Sequence, residues 1–591
     1  MEAIKGGEFI IRDTKANEIF IPEEWTEEQK MLADMCKDFI KTEIMPHLDR
    51  MDAMEEGFMP ALMEKAGELG LLSISIPEEL GGMGMDFKTS MLATEALGGS
   101  YSFSVAYGAH TGIGTLPLLY YGNAEQKAKY IPKLASGEWK ASYCLTEPSA
   151  GSDANSGKTK AVLTEDGKYY EITGQKMWIT NAGFSHLHTV FAKIDDDEKL
   201  TAFLIEADSA GITLNPEEKK MGIKGSSTRQ VFYNKVKVPV ENMLSERENG
   251  FKIALNILNI GRIKLSIGTT GAAKEIVTES ANYANEREQF GRPIAKYGAI
   301  RNKLGKMAVS IFASESANYR AAQNIDDAIK ALVDGGMTKE KATLKGIEQF
   351  APECALLKVV GSDCLDFVVD EGVQIHGGMG YSAETLVERA YRDARINKIF
   401  EGTNEINRLL LVNMILKKGM KGEIDLMGPA MKVADELMSV PSFDEGEEGL
   451  FAAQKKSLAG FKKAILMVAG SAVQKLMATM AKEQEILMNN ADMIIDTYLA
   501  ESIMLRVEKL VAIKGEEACA VQIEMVKAFF YEASHRINKA ATDALNSFAE
   551  GDELKMMLMG LKRFTKHEPI NIKSCYQKIA LQIIEENEYC F

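Results

Sequence analysis

Cysteine is scarce, seven in 591 residues, widely scattered and without a C-x-x-C pair. That leaves no disulfide framework and no zinc ribbon, and it fits a reducing compartment. Long apolar runs are absent as well. The longest candidate, 464–473, stops at Gln474 and Lys475, short of the roughly 18 residues a spanning helix needs. Nor is there a basic excess: 69 Lys and Arg stand against 85 Asp and Glu, a net charge of −16 that repels nucleic-acid phosphates. The first twenty residues carry neither the apolar core of a signal peptide nor the Arg-rich, acid-poor pattern of a transit peptide, so the expected location is the cytoplasm. No G-x-G-x-x-G follows a predicted strand, and P-loop, H-E-x-x-H and G-x-S-x-G patterns are missing. Rossmann dehydrogenases, P-loop NTPases, common zinc proteases and most serine esterases are thereby set aside. His186 and His188 lie two apart with no third ligand in view, so no metal site is expected.

What is present is the composition of a soluble globular protein, 46% hydrophobic and 26% charged, long enough for several domain-sized units. Apolar residues recur at helical spacing over about 26–134. Between about 141 and 250 the pattern becomes short β-branched and aromatic stretches, such as 169–173, 189–192, 202–205, 231–233 and 236–238, with turn signals at Asp166-Gly167 and Asp195–Asp197. Helical periodicity returns from 250 to about 420 and ends in a helix over 404–418 closed by Lys417, Lys418 and Gly419. A Pro-, Gly- and acid-rich stretch over 439–449 reads as a linker, and 451–548 is helical again. The expected fold class is mainly α with a central β domain. Its units are 1–139 (helical), 140–249 (β), 250–420 (helical), 421–450 (linker) and 451–591 (a further helical unit).

Three stretches carry candidate chemistry. YCLTEPSAGSD, from Tyr143, collects hydroxyls and backbone N–H groups that form either a turn or a seat for a polar cofactor. Trp178 is one of three tryptophans and is either core or an aromatic wall against a flat ring system. Glu401, in FEGTN before the 404–418 helix, is either a carboxylate answering the helix dipole or a buried general base suited to proton abstraction at carbon. The 32 methionines read as core filler or as an adaptable pocket lining.

Six ordered motifs resemble the acyl-CoA dehydrogenase family over about 25–415: YCLTEPSAGSD, GQKMWITNAG, GFKIALNILNIGR from Gly250, REQFGRPI from Arg287, VQIHGGMGY from Val373, and YRDARINKIFEGTNEINR ending at Arg408. The resemblance implies a helical domain, a β-barrel-like domain and a four-helix bundle. It also implies FAD-dependent α,β-desaturation of a fatty acyl-CoA to the trans-2-enoyl-CoA in fatty acid β-oxidation, with electrons passed to electron-transfer flavoprotein. In that mechanism Glu401 takes the α-proton while the thioester carbonyl is polarised by the flavin ribityl hydroxyl and the Glu401 backbone N–H.

Carried over by position, Tyr143, Leu145, Thr146 and Ser152 would contact FAD, Ser152 also the CoA side, and Trp178 and Thr180 would flank the isoalloxazine. Arg287, Phe290, Gln374 and Gly378 match positions that bind the adenosine and pyrophosphate of a neighbouring subunit's FAD, which implies at least a dimer. Thr403 and Glu405 match further FAD contacts, while Asn259, Arg262 and Gly402 match positions on the substrate and catalytic face. Asn259 stands where medium-chain members carry Asp. Gly261 occupies the place where some branched-chain members keep their base, so Glu401 alone can serve, which fits straight chains.

The block after about 420, most visibly KEQEILMNNADMIIDTYLAES from Lys482, resembles the extra helical domain of the very-long-chain branch. It implies a homodimer. Gly108 and Gly112, with Gly114 nearby, either lengthen the acyl pocket or allow close helix packing. The branch's basic membrane-binding segment is replaced here by acidic SFDEGEEG, so the amphipathic 426–440 stretch is expected to bind membrane weakly or not at all. Two other readings stay open: an acyl-CoA oxidase-like enzyme, and an FAD-retaining scaffold for assembly of a respiratory complex.

Overall fold

The computed structural model describes residues 4–438 and 449–591; all of the acidic linker stretch except Gly449 lies outside them. The first long helix, α1 (Glu27–Phe39), starts where Thr26 and Gln29 satisfy each other's backbone N–H groups at 3.1 and 3.3 Å. It packs on α2 (Phe87–Ala96), and α3 (Ser102–Gly108) runs straight into a π-helical segment, Ala109–Gly114.

A mixed sheet follows, built from β1 (Ala141–Cys144), β2 (Lys160–Leu163), β3 (Tyr169–Thr180), β4 (Leu187–Ile194), β5 (Thr201–Glu206), β6 (Ile212–Leu214), β7 (Thr228–Pro239) and β8 (Met243–Leu244). Its order is β6-β7-β3-β2-β4-β5-β8, with β1 also on β4; β1 and β2 lie parallel to β4 and the remaining pairs are antiparallel. All five stretches expected as strands lie within β3, β4, β5 and β7. The front of the Tyr143 motif is more regular than its composition implies. Tyr143 and Cys144 belong to β1, in register with Thr189 and Val190, and the irregular turn begins only after them.

Helices α4 (Gly250–Glu286), α5 (Gly298–Asp334), α6 (Ala351–His376) and α7 (Asn404–Met420) form a four-helix bundle with α6 in contact with the other three. The amphipathic stretch becomes α8 (Met427–Met438), which buries Val433 and leaves Met427, Met431 and Met438 exposed. Five further α-helices follow among the described residues: α9 (Ala452–Leu476), α10 (Gln484–Lys514), α11 (Ala520–Phe548), α12 (Gly551–Phe564) and α13 (Ile572–Glu586). This last group is docked along the bundle, with α10 against α5 and α7 and α13 against α5. Residues 4–25 run along the C-terminal helices, with Phe9 edge-on to Tyr498 at 4.7 Å and Arg506 bonded to Glu23. Among the described residues no helix is long and apolar enough to cross a membrane.

Candidate active site

Two distant motifs are locked together beneath the sheet. Lys176, fully buried in β3, donates to Glu147 at 2.7 Å and to the carbonyls of Leu145 and Phe191 at 3.2 and 2.7 Å. Glu147 also accepts the N–H groups of Lys158 and Thr159 at 2.6 and 3.1 Å, so its charge is matched on every side. This pair fixes the Tyr143 loop relative to β3. Beyond Lys176 the β3–β7 register shifts, and Trp178 takes a φ of 59°. The bulge turns its indole outward, 53% exposed, instead of into the core. At the end of β3, Asn181 donates to the Ala106 carbonyl at 2.9 Å, tying the strand to α3.

Glu401 sits at φ 59°, just before Thr403, which caps α7 by accepting the Ile406 N–H at 3.3 Å. Such a backbone conformation persists only where the surroundings enforce it. Asn407 does so by donating to the carbonyls of Glu401, Gly402 and Thr403 at 3.3, 2.8 and 3.0 Å, and Arg262 reaches the Glu401 carbonyl at 3.4 Å. The carboxyl lies directly over Gly261: a methyl group there would come within 2.8 Å of Oε2. Oε2 is buried with no hydrogen-bond partner among the described residues. Burial pushes the Glu401 carboxyl up to about 7, with Arg262 and Lys358 opposing the shift.

Both cations have other engagements. Arg262 donates to Asn259 at 2.8 Å, and Lys358 donates to Asn404 at 2.7 Å. Burial holds the Arg262 guanidinium below its ordinary value and lowers Lys358 to about 8.

Glu401 and Gly261 form part of the wall of a mostly apolar cavity of about 220 Å³ between α4, α2 and the α3–π segment. From Gly261 to Ile276 the cavity follows one face of α4 for about 22 Å at the helical rise per residue. Gly108 and Gly112 line it, and a methyl group on either would meet no other atom within 4 Å. Their missing side chains therefore open space in the cavity. Gly114, by contrast, is a packing glycine, since its methyl would come within 2.9 Å of Ala109 and Ala141. Among the described residues no methionine lines the cavity; Met63, Met91, Met307, Met493 and Met525 are fully buried in the core instead.

The structure thus gathers Asn259, Gly261, Arg262, Glu401, Gly402 and Thr403 at one place, with Thr180 also on the cavity wall. Tyr143 and Leu145 are buried in and just after β1, Thr146 is half-buried, and Ser152, Trp178 and Glu405 are exposed. Arg287, Phe290, Gln374 and Gly378 form a separate exposed group. The ends of α4 and α6 that carry them are joined by Tyr283, which stacks on His376 at 4.1 Å. That group lies about 39 Å along α4 from Gly261, beyond reach of Glu401 in the same chain. His188 spends both ring nitrogens on Tyr233 and Ser185 at 3.0 Å, and His186 stacks on Trp139. The sequence marks Asn404 only as the start of a helix and does not point to Lys358 or Asn407, although Lys358 interrupts an otherwise apolar run, which is a readable signal.

A polar prosthetic group with a flat ring system suits this surface. Tyr143 Oη is buried without a hydrogen-bond partner among the described residues, Trp178 offers an exposed aromatic face, and Thr180 lies on the wall shared with Glu401.

Comparison with known proteins gives three consecutive family matches: acyl-CoA dehydrogenase N-terminal domain over residues 26–138, middle domain over 142–236 and C-terminal domain over 248–416. A further model, also described as acyl-CoA dehydrogenase, C-terminal domain, matches 460–563. A probable acyl-CoA dehydrogenase of Bacillus subtilis (strain 168) is 45% identical over 585 residues, covering 99% of this chain and 98% of the relative. The mitochondrial very long-chain specific acyl-CoA dehydrogenase of Homo sapiens is 40% identical over 394 residues, 65% of this chain and 56% of its own length. The crystal structure of an acyl-CoA dehydrogenase complexed with FAD from Bacillus anthracis superposes with a TM-score of 0.97 at 44% identity, over the full length of both chains.

Proposed function

Because the chain belongs to the acyl-CoA dehydrogenase family, we propose that it desaturates a fatty acyl-CoA between Cα and Cβ with Glu401 as the base and FAD as the cofactor. The observation that carries this reading is the Glu401 carboxyl, buried over Gly261 on the wall of an apolar cavity, with Oε2 unpartnered and an affinity for protons raised to about 7. A thioester α-proton is weakly acidic, and a desolvated carboxylate of raised pKa is the stronger base for it.

Tyr143, Leu145, Thr146, Trp178, Thr180, Thr403 and Glu405 would hold the flavin, with Ser152 at the boundary between flavin and CoA. When bound, the flavin supplies the two-electron acceptor for the hydride leaving Cβ. The chain's own residues do the rest. The Glu401 carboxylate receives the α-proton, Arg262 and Asn407 hold the carbonyl of Glu401, and the Glu401 backbone N–H would polarise the thioester, as the family resemblance implies. The apolar walls exclude water from the carboxylate. Asn259, Arg262 and Gly402 face the substrate side.

A long, straight acyl chain is the proposed substrate, supported by the extent of the cavity along α4 and the open space at Gly108 and Gly112. Electron-transfer flavoprotein is the proposed acceptor, following the family. We further propose that Arg287, Phe290, Gln374 and Gly378 serve the flavin of a second copy, which their distance from Glu401 supports. The units 1–139, 140–249, 250–420, 421–450 and 451–591 are the proposed domains, with residues 4–25 of the first reaching across to α10. Anaerobic titration of the flavin absorbance with saturated acyl-CoAs of increasing length tests the function. Bleaching that is strongest with long chains is expected; a flavin that no acyl-CoA bleaches would sink it.

A further inference from the structure

The acyl cavity carries charged groups that this chemistry does not use, and Lys264 is the one cation in its lining among the described residues. Lys264 lies three residues after Gly261 on α4 and lines the same cavity, about one helical turn deeper than Glu401. Among the described residues it has neither a hydrogen bond nor an ion pair, unlike Arg262 and Lys358, whose donors are taken by Asn259 and Asn404. Burial lowers its ammonium to about 8. An unpartnered ammonium facing a purely hydrocarbon tail is costly, because displaced water takes its hydrogen bonds away and the tail returns none.

Asp393 lines the same cavity; its Oδ2 is buried without a hydrogen-bond partner among the described residues, and its other oxygen accepts the Ile223 N–H. Glu275 adds a further carboxyl to the wall. Besides Lys264 the wall carries the carboxyls of Glu275, Asp393 and Glu401, which repel a chain ending in carboxylate, whereas a neutral hydroxyl can accept from the ammonium without that cost. We propose that Lys264 is a specificity-determining residue that selects acyl chains carrying a hydroxyl group several carbons beyond Cβ.

This inference rests on the acyl-CoA dehydrogenase reading above and narrows its substrate to hydroxylated chains. The test compares the wild-type holoenzyme with Lys264→Met, which keeps an unbranched apolar stem, on three kinds of acyl-CoA of matched length. These are the saturated chain, a series of hydroxylated chains differing in hydroxyl position, and the ω-carboxylated chain. In the wild type, kcat/KM for the best hydroxylated chain should exceed that for the saturated chain by about tenfold or more, since a site built around a substrate hydroxyl rejects the analogue lacking it. In Lys264→Met that ratio should invert, mainly through KM. An identical ratio in both proteins, or a wild-type preference for the ω-carboxylate, overturns the assignment of Lys264. A flavin that none of the three chains bleaches overturns the dehydrogenase reading along with it.

Discussion

Glu401 combines a task with a cost. Its raised pKa means that the folded chain holds the proton more tightly than the unfolded chain does, for which the ordinary value is 4.5. The resulting stabilisation is fully present below about 4.5 and is lost as pH climbs through about 7, where the buried carboxyl must ionise. Glu401→Gln should therefore match the wild type in denaturant midpoint near pH 4.5 and be more stable by about 3 kcal/mol near pH 8. Parallel denaturation series at the two pH values check this, and a gap that does not widen with pH would refute the burial argument. Gly261 belongs to the same calculation, because a methyl group at 2.8 Å from Oε2 must displace the carboxyl. Gly261→Ala is expected to lower kcat by about a hundredfold while flavin content stays unchanged, as a misplacement of about an ångström at a reacting group commonly does. Steady-state kinetics on the flavin-loaded variant decide it.

Among the elements, the α3–π segment is where sequence and structure answer different questions. Small residues at helical spacing are visible in the sequence, but only the surrounding atoms separate Gly108 and Gly112, which open onto the cavity, from Gly114, which packs against Ala109 and Ala141. Gly108→Leu should accordingly shorten the usable cavity. The chain-length optimum is expected to move to shorter acyl-CoAs, with short-chain kcat/KM preserved and the thermal midpoint barely changed, because the new side chain fills open space. A loss of stability with no shift in chain-length profile would instead mark Gly108 as a packing position. Strand β3 makes a related point. Its β-branched front half was legible as a strand, but the register shift that turns Trp178 outward depends on pairing with β7 some 50 residues later.

Across the whole molecule, the C-terminal helices are joined to the four-helix bundle by ion pairs, the Arg506–Glu315 pair among them fully buried. Arg506 of α10 pairs with Glu315 of α5 at 2.6 Å and with Glu23 at 2.9 Å, while Lys274 of α4 bridges Glu315 to Glu95 of α2. Arg408 of α7 likewise bonds to Asp492 of α10 at 2.7 Å. The helix that lines the cavity and the helix that follows Glu401 are thus both tied to the extension. Arg506→Met would leave Glu315 and Glu23 without their guanidinium and should destabilise the protein by about 3–5 kcal/mol. Equilibrium or kinetic unfolding followed in both proteins would show it, and an unchanged midpoint would mean that the pair contributes no net stability.

The order of helical, β and helical blocks was readable because hydrophobic period changes at their borders, and the helix start after FEGTN was readable from Thr403 and Asn404, while the role of Glu401 was left between a carboxylate answering the helix dipole and a buried base. Asn407, Lys358 and the Lys176–Glu147 pair were not, because their meaning lies in partners that only folding brings near. The path of residues 4–25 onto α10 was hidden for the same reason.

The most direct measurement is exchange of the substrate α-hydrogen with heavy water in the flavin-loaded protein, followed against pH in the wild type and in Glu401→Gln. The account predicts exchange in the wild type that rises as pH passes through about 7 and a loss of about 10²- to 10⁴-fold in the variant, with the flavin retained. Exchange that persists at the wild-type rate in Glu401→Gln would contradict the assignment of Glu401 as the base.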